Sequence, residues 1–105
     1  MAKEITEGPV QHVVMVWLKD KTQVELIKEK TLALKQIPQV KAIKLGSAIT
    51  SERKIVDGSF DLGIIFEFDN AEDMKAYLVH PIHKEFVKNY VIGKVDKILV
   101  YDIQE

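Results

Sequence analysis

The feature that most constrains this chain is a strand-length run, His12 to Leu18, that is apolar on both of its faces. It is β-branched, aromatic and too short for a helix. In an extended backbone His12, Val14, Val16 and Leu18 point one way, while Val13, Met15 and Trp17 point the other. A sheet covered on one side only shows polar residues on its second face. This strand therefore expects a cover on both sides. Phe60 to Phe68 repeats the pattern, with Leu62, Ile64, Phe66 and Phe68 against Gly63 and Ile65. Val95 to Ile103 sets Ile98 and Val100 opposite Leu99 and Tyr101.

Between these runs the period changes. Asp20 or Thr22 is suited to cap a helix. Val24, Ile27, Thr31, Leu34 and Ile37 then recur at three- and four-residue steps among lysines and glutamates, which predicts an amphipathic helix ending before Pro38. Val40 to Ala48 reads as a second strand, with Gly46 suggesting a bulge or a close approach. Thr50 to Ser59 is a charged loop with an Asp57-Gly58 turn signal. Asn70 caps another helix, with acids in its first turn and Met74, Tyr77 and Leu78 on its inner face. His80-Pro81 interrupts it. Pro81 suits the first position of a fresh helix, which carries on through His83, Phe86, Val87 and Tyr90 and stops at Gly93.

The order is strand, helix, strand, strand, broken helix, strand. That predicts an α+β, ferredoxin-like β-α-β-β-α-β domain: a four-stranded antiparallel sheet with helices on one face. Residues 1–10 read as a polar N-terminal arm and 11–105 as the domain. The helices account for one apolar face. Something else must cover Val13, Met15, Trp17, Ile65, Leu99 and Tyr101. For a chain of 105 residues a second copy is the economical cover, so a homodimer through that face is expected.

Composition narrows the function classes. The net charge of -1 gives no footprint for nucleic acid or an anionic membrane. No apolar run approaches the roughly 20 residues of a membrane helix, and the first residues lack the apolar core of a secretory signal. Absence of cysteine removes disulfides, thiolate metal sites and cysteine nucleophiles together. A reducing, cytoplasmic setting is the expectation. No phosphate-cradling glycine loop or nucleophile elbow is present, so no cofactor is expected.

What chemistry remains is concentrated in His12, Tyr77, His80 and His83. Histidine shuttles protons near neutral pH. A His83 base beside a Tyr77 donor would remove a proton next to a carbonyl and steady the enolate. The competing reading is structural: His80 fixes a helix start, His12 is a satisfied core or pocket-wall histidine, and Tyr77 is core. A metal is not expected, because an i, i+3 histidine pair across a proline is not a ligand signature. Trp17 reads as interface core, and the charges of residues 19 to 36 as a solvated helix face.

Three segments carry a resemblance: Gln11-His-Val-Val-Met-Val-Trp-Leu-Lys19, Tyr77-Leu-Val-His-Pro-Ile-His83 and Lys97-Ile-Leu-Val-Tyr-Asp102. Together they resemble the signature segments of the stress-responsive dimeric α/β-barrel family. The resemblance implies two subunits that set their sheets face to face. One branch of that family, olivetolic acid cyclase, closes a linear polyketide by an intramolecular aldol reaction. Its acid/base histidine and assisting tyrosine match His83 and Tyr77, and its strand-one histidine matches His12. The resemblance further implies a sheet–helix pocket lined by Val14, Val16, Leu26, Ile27, Lys30, Ile64, Phe66, Ile98 and Val100. Lys30 departs from that enzyme, which has an aromatic residue there. The resemblance thus implies a small-molecule-binding homodimer. If it is an enzyme, it is a cofactor-independent lyase, cyclase or isomerase. The alternative is a non-enzymatic stress-response or assembly protein.

Overall fold

The computed structural model describes residues 8–105, and the expected polar arm lies, through residue 7, outside the described residues. Strand β1 is Val10–Leu18. A 3-10 turn, Lys21–Gln23, leads into helix α1, Val24–Leu32, and a second 3-10 segment, Ala33–Gln36, follows it. Strand β2 is Ala42–Gly46 and β3 is Leu62–Phe68. Helices α2, Ala71–Val79, and α3, Pro81–Phe86, continue into a π-helical turn, Val87–Val91. Strand β4, Val95–Gln104, completes the chain. The sheet order is β2-β3-β1-β4, and every neighbouring pair is antiparallel. This is the expected ferredoxin-like arrangement.

The two apolar faces separate as alternation requires. Val10, Val14, Val16, Leu18, Leu62, Ile64, Phe66 and Phe68 are buried against the helices, together with Ile27, Leu34, Ile37 and Tyr77. On the opposite face Val13 pairs between Ile65 and Tyr101, and Met15 between Gly63 and Leu99. Val13, Met15, Trp17, Ile65 and Leu99 are half-buried there, and Tyr101 is exposed. The sheet itself accounts for their partial cover, since a flanking strand shields each side chain laterally.

Local chemistry sets the element ends. Asp20 accepts from the Thr22 backbone N–H at 3.0 Å and from its hydroxyl at 2.6 Å. These bonds hold its carboxyl below the usual pKa. Asn70 accepts from Asp73 N–H at 2.8 Å and caps α2. Asp61 accepts from Leu18 N–H at 2.7 Å and from Lys21 Nζ at 2.8 Å, and so ties the end of β1 to the entry of β3. Gly93, at φ 78°, closes the helical segment.

Four details differ from the sequence reading. Val10, assigned to the arm, belongs to β1 and is 3% exposed. The helix expected to run to Ile37 tightens into 3-10 geometry after Leu32. Ile37 is then extended, as the residue before a proline prefers. Strand β2 is shorter than Val40 to Ala48. Gly46 is neither a bulge nor a close approach: it pairs with Gly63 in unbroken register, and a Cβ there would meet nothing within 4 Å. The irregularity falls instead between Trp17 and Leu18, where β1 leaves its register with β4.

Candidate functional site

Between the sheet and the helices lies a cavity of about 290 Å³. The floor is Val14, Val16, Ile64, Phe66, Ile98 and Val100. Ile27 and Thr31 of α1 form one wall, while Tyr77, Leu78, His83, Phe86, Val87, Tyr90 and Val91 form the other. His12 and Val95 complete the lining. The cavity opens over β4, the edge strand: Ile98 and Val100 are 42% and 46% exposed although they face the helix side. The helices cross β1 and β3 and leave β4 bare.

The break at His80-Pro81 builds the histidine end of the cavity. The last carbonyls of a helix lack intrahelical donors. The Ile82 N–H, the i+4 donor that would continue the ladder to Leu78, instead donates to His80 Nδ1 at 3.1 Å. The Leu78 carbonyl is thereby left for His83, whose Nδ1 lies 3.0 Å away. A carbonyl only accepts, so His83 Nδ1 carries the hydrogen, and in the neutral ring Nε2 presents its lone pair. Burial pushes the His83 pKa down. The Leu78 bond opposes that shift, and the nearby His12 adds to it. His83 therefore stays neutral at physiological pH, the form a general base requires.

Tyr77 is 2% exposed, with its ring 4.5 Å from the His83 ring and packed at 5.4 Å and 5.1 Å against Phe66 and Phe68. Burial raises its phenol pKa far above the ordinary value, so the hydroxyl remains protonated and able to donate. His12 closes the cluster at 6.2 Å from Tyr77, ring to ring. Its Nδ1 lies 2.5 Å from Asp102 Oδ1. The carboxylate accepts that hydrogen bond and fixes the ring's orientation, an arrangement familiar from histidines that move protons.

The structure thus brings His12, Tyr77 and His83 together with Val14, Val16, Ile27, Ile64, Phe66, Ile98 and Val100. Two expected lining residues fall elsewhere. Leu26 is 39% exposed, and Lys30 flanks a neighbouring groove, with Nζ 5.7 Å from the centre of the Tyr90 ring. The helical period explains this. Ile27 and Thr31, four apart, face the sheet, and each of the other two sits one position earlier, about 100° round the helix. The charge of Lys30 therefore does not enter the cavity. His80 stands at the cap of α3, as its structural reading has it. Among the described residues no group of three or more His, Asp or Glu is arranged to hold a metal ion.

Asp102 was missed, although β4 alternation signals it: two residues beyond Val100, it must share the cavity face. Register then sets it opposite His12. Thr31 was counted on the inner face of the helix but not as a site residue.

The comparisons with known proteins agree with this architecture. The family model of the stress responsive A/B barrel domain matches residues 10–105. This chain belongs to the stress-responsive A/B barrel family. Within that family it is similar to the stress-response A/B barrel domain-containing protein HS1 of Arabidopsis thaliana, at 33% identity over 105 residues. The match covers 94% of this chain and 92% of that protein. By structure this family member is similar to a hydroxynitrile lyase from Passiflora edulis, with TM-score 0.79 and 24% identity over 94% of each chain. It is also similar to a dimeric ferredoxin-like protein of unknown function from Bacteroides fragilis. There the TM-score is 0.73 and the identity 23%, over 95% of this chain and 99% of the other. Among the described residues no helix is long and apolar enough to cross a membrane.

Proposed function

We propose that this protein is a cytoplasmic homodimer that binds a small carbonyl compound in the sheet–helix cavity and acts on it by acid/base chemistry. The class is a cofactor-independent lyase, cyclase or isomerase. One observation carries this reading: in an apolar cavity His83 is neutral with its Nδ1 hydrogen committed to Leu78, so Nε2 holds the lone pair, and its ring lies 4.5 Å from that of Tyr77, whose hydroxyl stays protonated. His83 Nε2 takes a proton from the atom next to the carbonyl or from a hydroxyl. Tyr77 donates a hydrogen bond to the carbonyl oxygen as charge builds on it, and the proton returns to the product. His12, oriented by Asp102, supports the same oxygen or relays the proton. A hydroxynitrile lyase of the same fold supports the view that this scaffold hosts lyase chemistry.

The dimer is proposed through Val13, Met15, Trp17, Ile65, Leu99 and Tyr101. Their continuous register across β3, β1 and β4 supports it, as does the dimeric state of a protein sharing the fold.

The test is His83→Ala, assayed on any aryl or β-keto compound that the wild type turns over. Loss of a general base lowers kcat by about 10²–10⁴-fold with the fold retained. Unchanged turnover by a folded variant rejects the base assignment.

A further inference from the structure

The cavity between sheet and helices has no Lys, Arg, Asp or Glu in its lining. At its histidine end His83 is neutral and its Nδ1 hydrogen is committed to Leu78, so that ring offers an anion neither a charge nor that hydrogen. Two lysines in the neighbourhood are engaged elsewhere. Lys30 flanks a separate groove, with Nζ 3.7 Å from Glu29 and 5.7 Å from the centre of the Tyr90 ring. Lys97 reaches over Trp17 on the opposite face of the sheet. Asp102 brings a charge of the other sign. It follows Ile98 and Val100 on the cavity face of β4, where both line the open mouth, and extended backbone sets it about 7 Å beyond Val100. Its carboxylate is bonded to His12 of the lining, and its side chain is 43% exposed. An anionic group entering over β4 therefore passes a like charge and then loses its water with no counter-charge inside. A neutral carbonyl compound meets neither cost.

We propose that the site selects by charge: it takes uncharged ligands and rejects carboxylates and phosphate esters of the same shape, with Asp102 as the specificity-determining residue at its rim. This rests on reading the cavity as a ligand site. The substrate class is then narrower than a small carbonyl compound. It is a neutral, apolar aldehyde or ketone, and keto acids and aromatic carboxylates are excluded. Asp102 has two effects on the site: it orients His12, and it sets the sign of the field at the mouth.

Three ring compounds of nearly one shape provide the probe: acetophenone, benzamide and benzoate. Their affinities are read from the His83 ring resonances of the full-length protein and of Asp102→Asn, at about pH 8, where benzoate is an anion. In the wild type acetophenone and benzamide bind, and benzoate binds on the order of a hundredfold more weakly than benzamide. Asp102→Asn narrows that gap about tenfold. Salt screens a half-exposed carboxylate, so the gap also narrows in the wild type between about 0.01 M and 1 M ionic strength. Benzoate affinity within about tenfold of benzamide in the wild type overturns this inference and leaves the cavity reading intact. Benzamide as weak as benzoate shows that polarity rather than charge is rejected, and overturns it as well. A gap unchanged in Asp102→Asn overturns the assignment to Asp102, and if that variant does not fold, a gap unchanged by salt does so. Binding of none of the three compounds overturns both this inference and the cavity reading.

Discussion

The two faces of the sheet are equally apolar in sequence and differ in what lies over them. On the helix face, burial is almost complete along β1 and β3; His12 is bonded to Asp102 and His83 to Leu78, while the buried Thr31 hydroxyl is left without a partner. Among the described residues no layer covers the other face. Its polar features sit at the margin, where Trp17 Nε1 donates to Ser59 Oγ at 3.0 Å and Lys97 Nζ stands 4.7 Å from the Trp17 ring centre. An apolar face with reactive groups at its centre suits chemistry. One with an apolar centre and polar margins suits association. The two faces share β1, and alternate residues of one strand serve both.

Trp17→Asp breaks the comparison most severely. The change removes the indole's apolar contact and places a carboxylate, beside Lys97, in the proposed interface; it costs about 3–4 kcal/mol, a weakening of the dimer on the order of 10²–10³-fold. Sedimentation should show monomer or unfolded chain. A dimer of unchanged affinity would reassign that face.

A smaller effect sharpens the other side. His83 has a lowered pKa in the folded protein, so the unfolded chain binds its proton first as pH falls. Stability is therefore expected to decline from about pH 6.5 down through the folded pKa of His83 and then to level off with respect to this group. The decline should be shallower in His83→Gln at equal protein concentration. Denaturant midpoints between pH 7 and pH 5 measure it, and an unchanged slope in the variant would place the titration elsewhere.

The fold was largely legible because each element carries its own period. Alternation marked β1, β3 and β4, the three- and four-residue steps marked α1, and Asn70 and Pro81 marked the starts of α2 and α3. The site was legible where it followed a strand and less so where it followed a helix. Val14, Val16, Ile98 and Val100 reach the cavity by simple alternation. Leu26 and Lys30 were misplaced because a helix turns 100° per residue, so one position separates wall from solvent. Asp102 and the unpaired Thr31 hydroxyl escaped for another reason. Each is recognised by its partner, or by the lack of one, and that depends on sheet register and on packing between elements distant in the chain. The same holds for Leu78, whose carbonyl becomes available because His80 captures the Ile82 N–H.

One spectrum series tests the division of labour between the faces. The ring resonances of His12 and His83 and the indole N–H of Trp17 are followed in the wild type as acetophenone and benzamide are added, and again on dilution. Ligand should shift His12 and His83 and leave Trp17 in place, and dilution should shift Trp17 alone. A ligand that moves Trp17 while both histidines stay still would contradict the account.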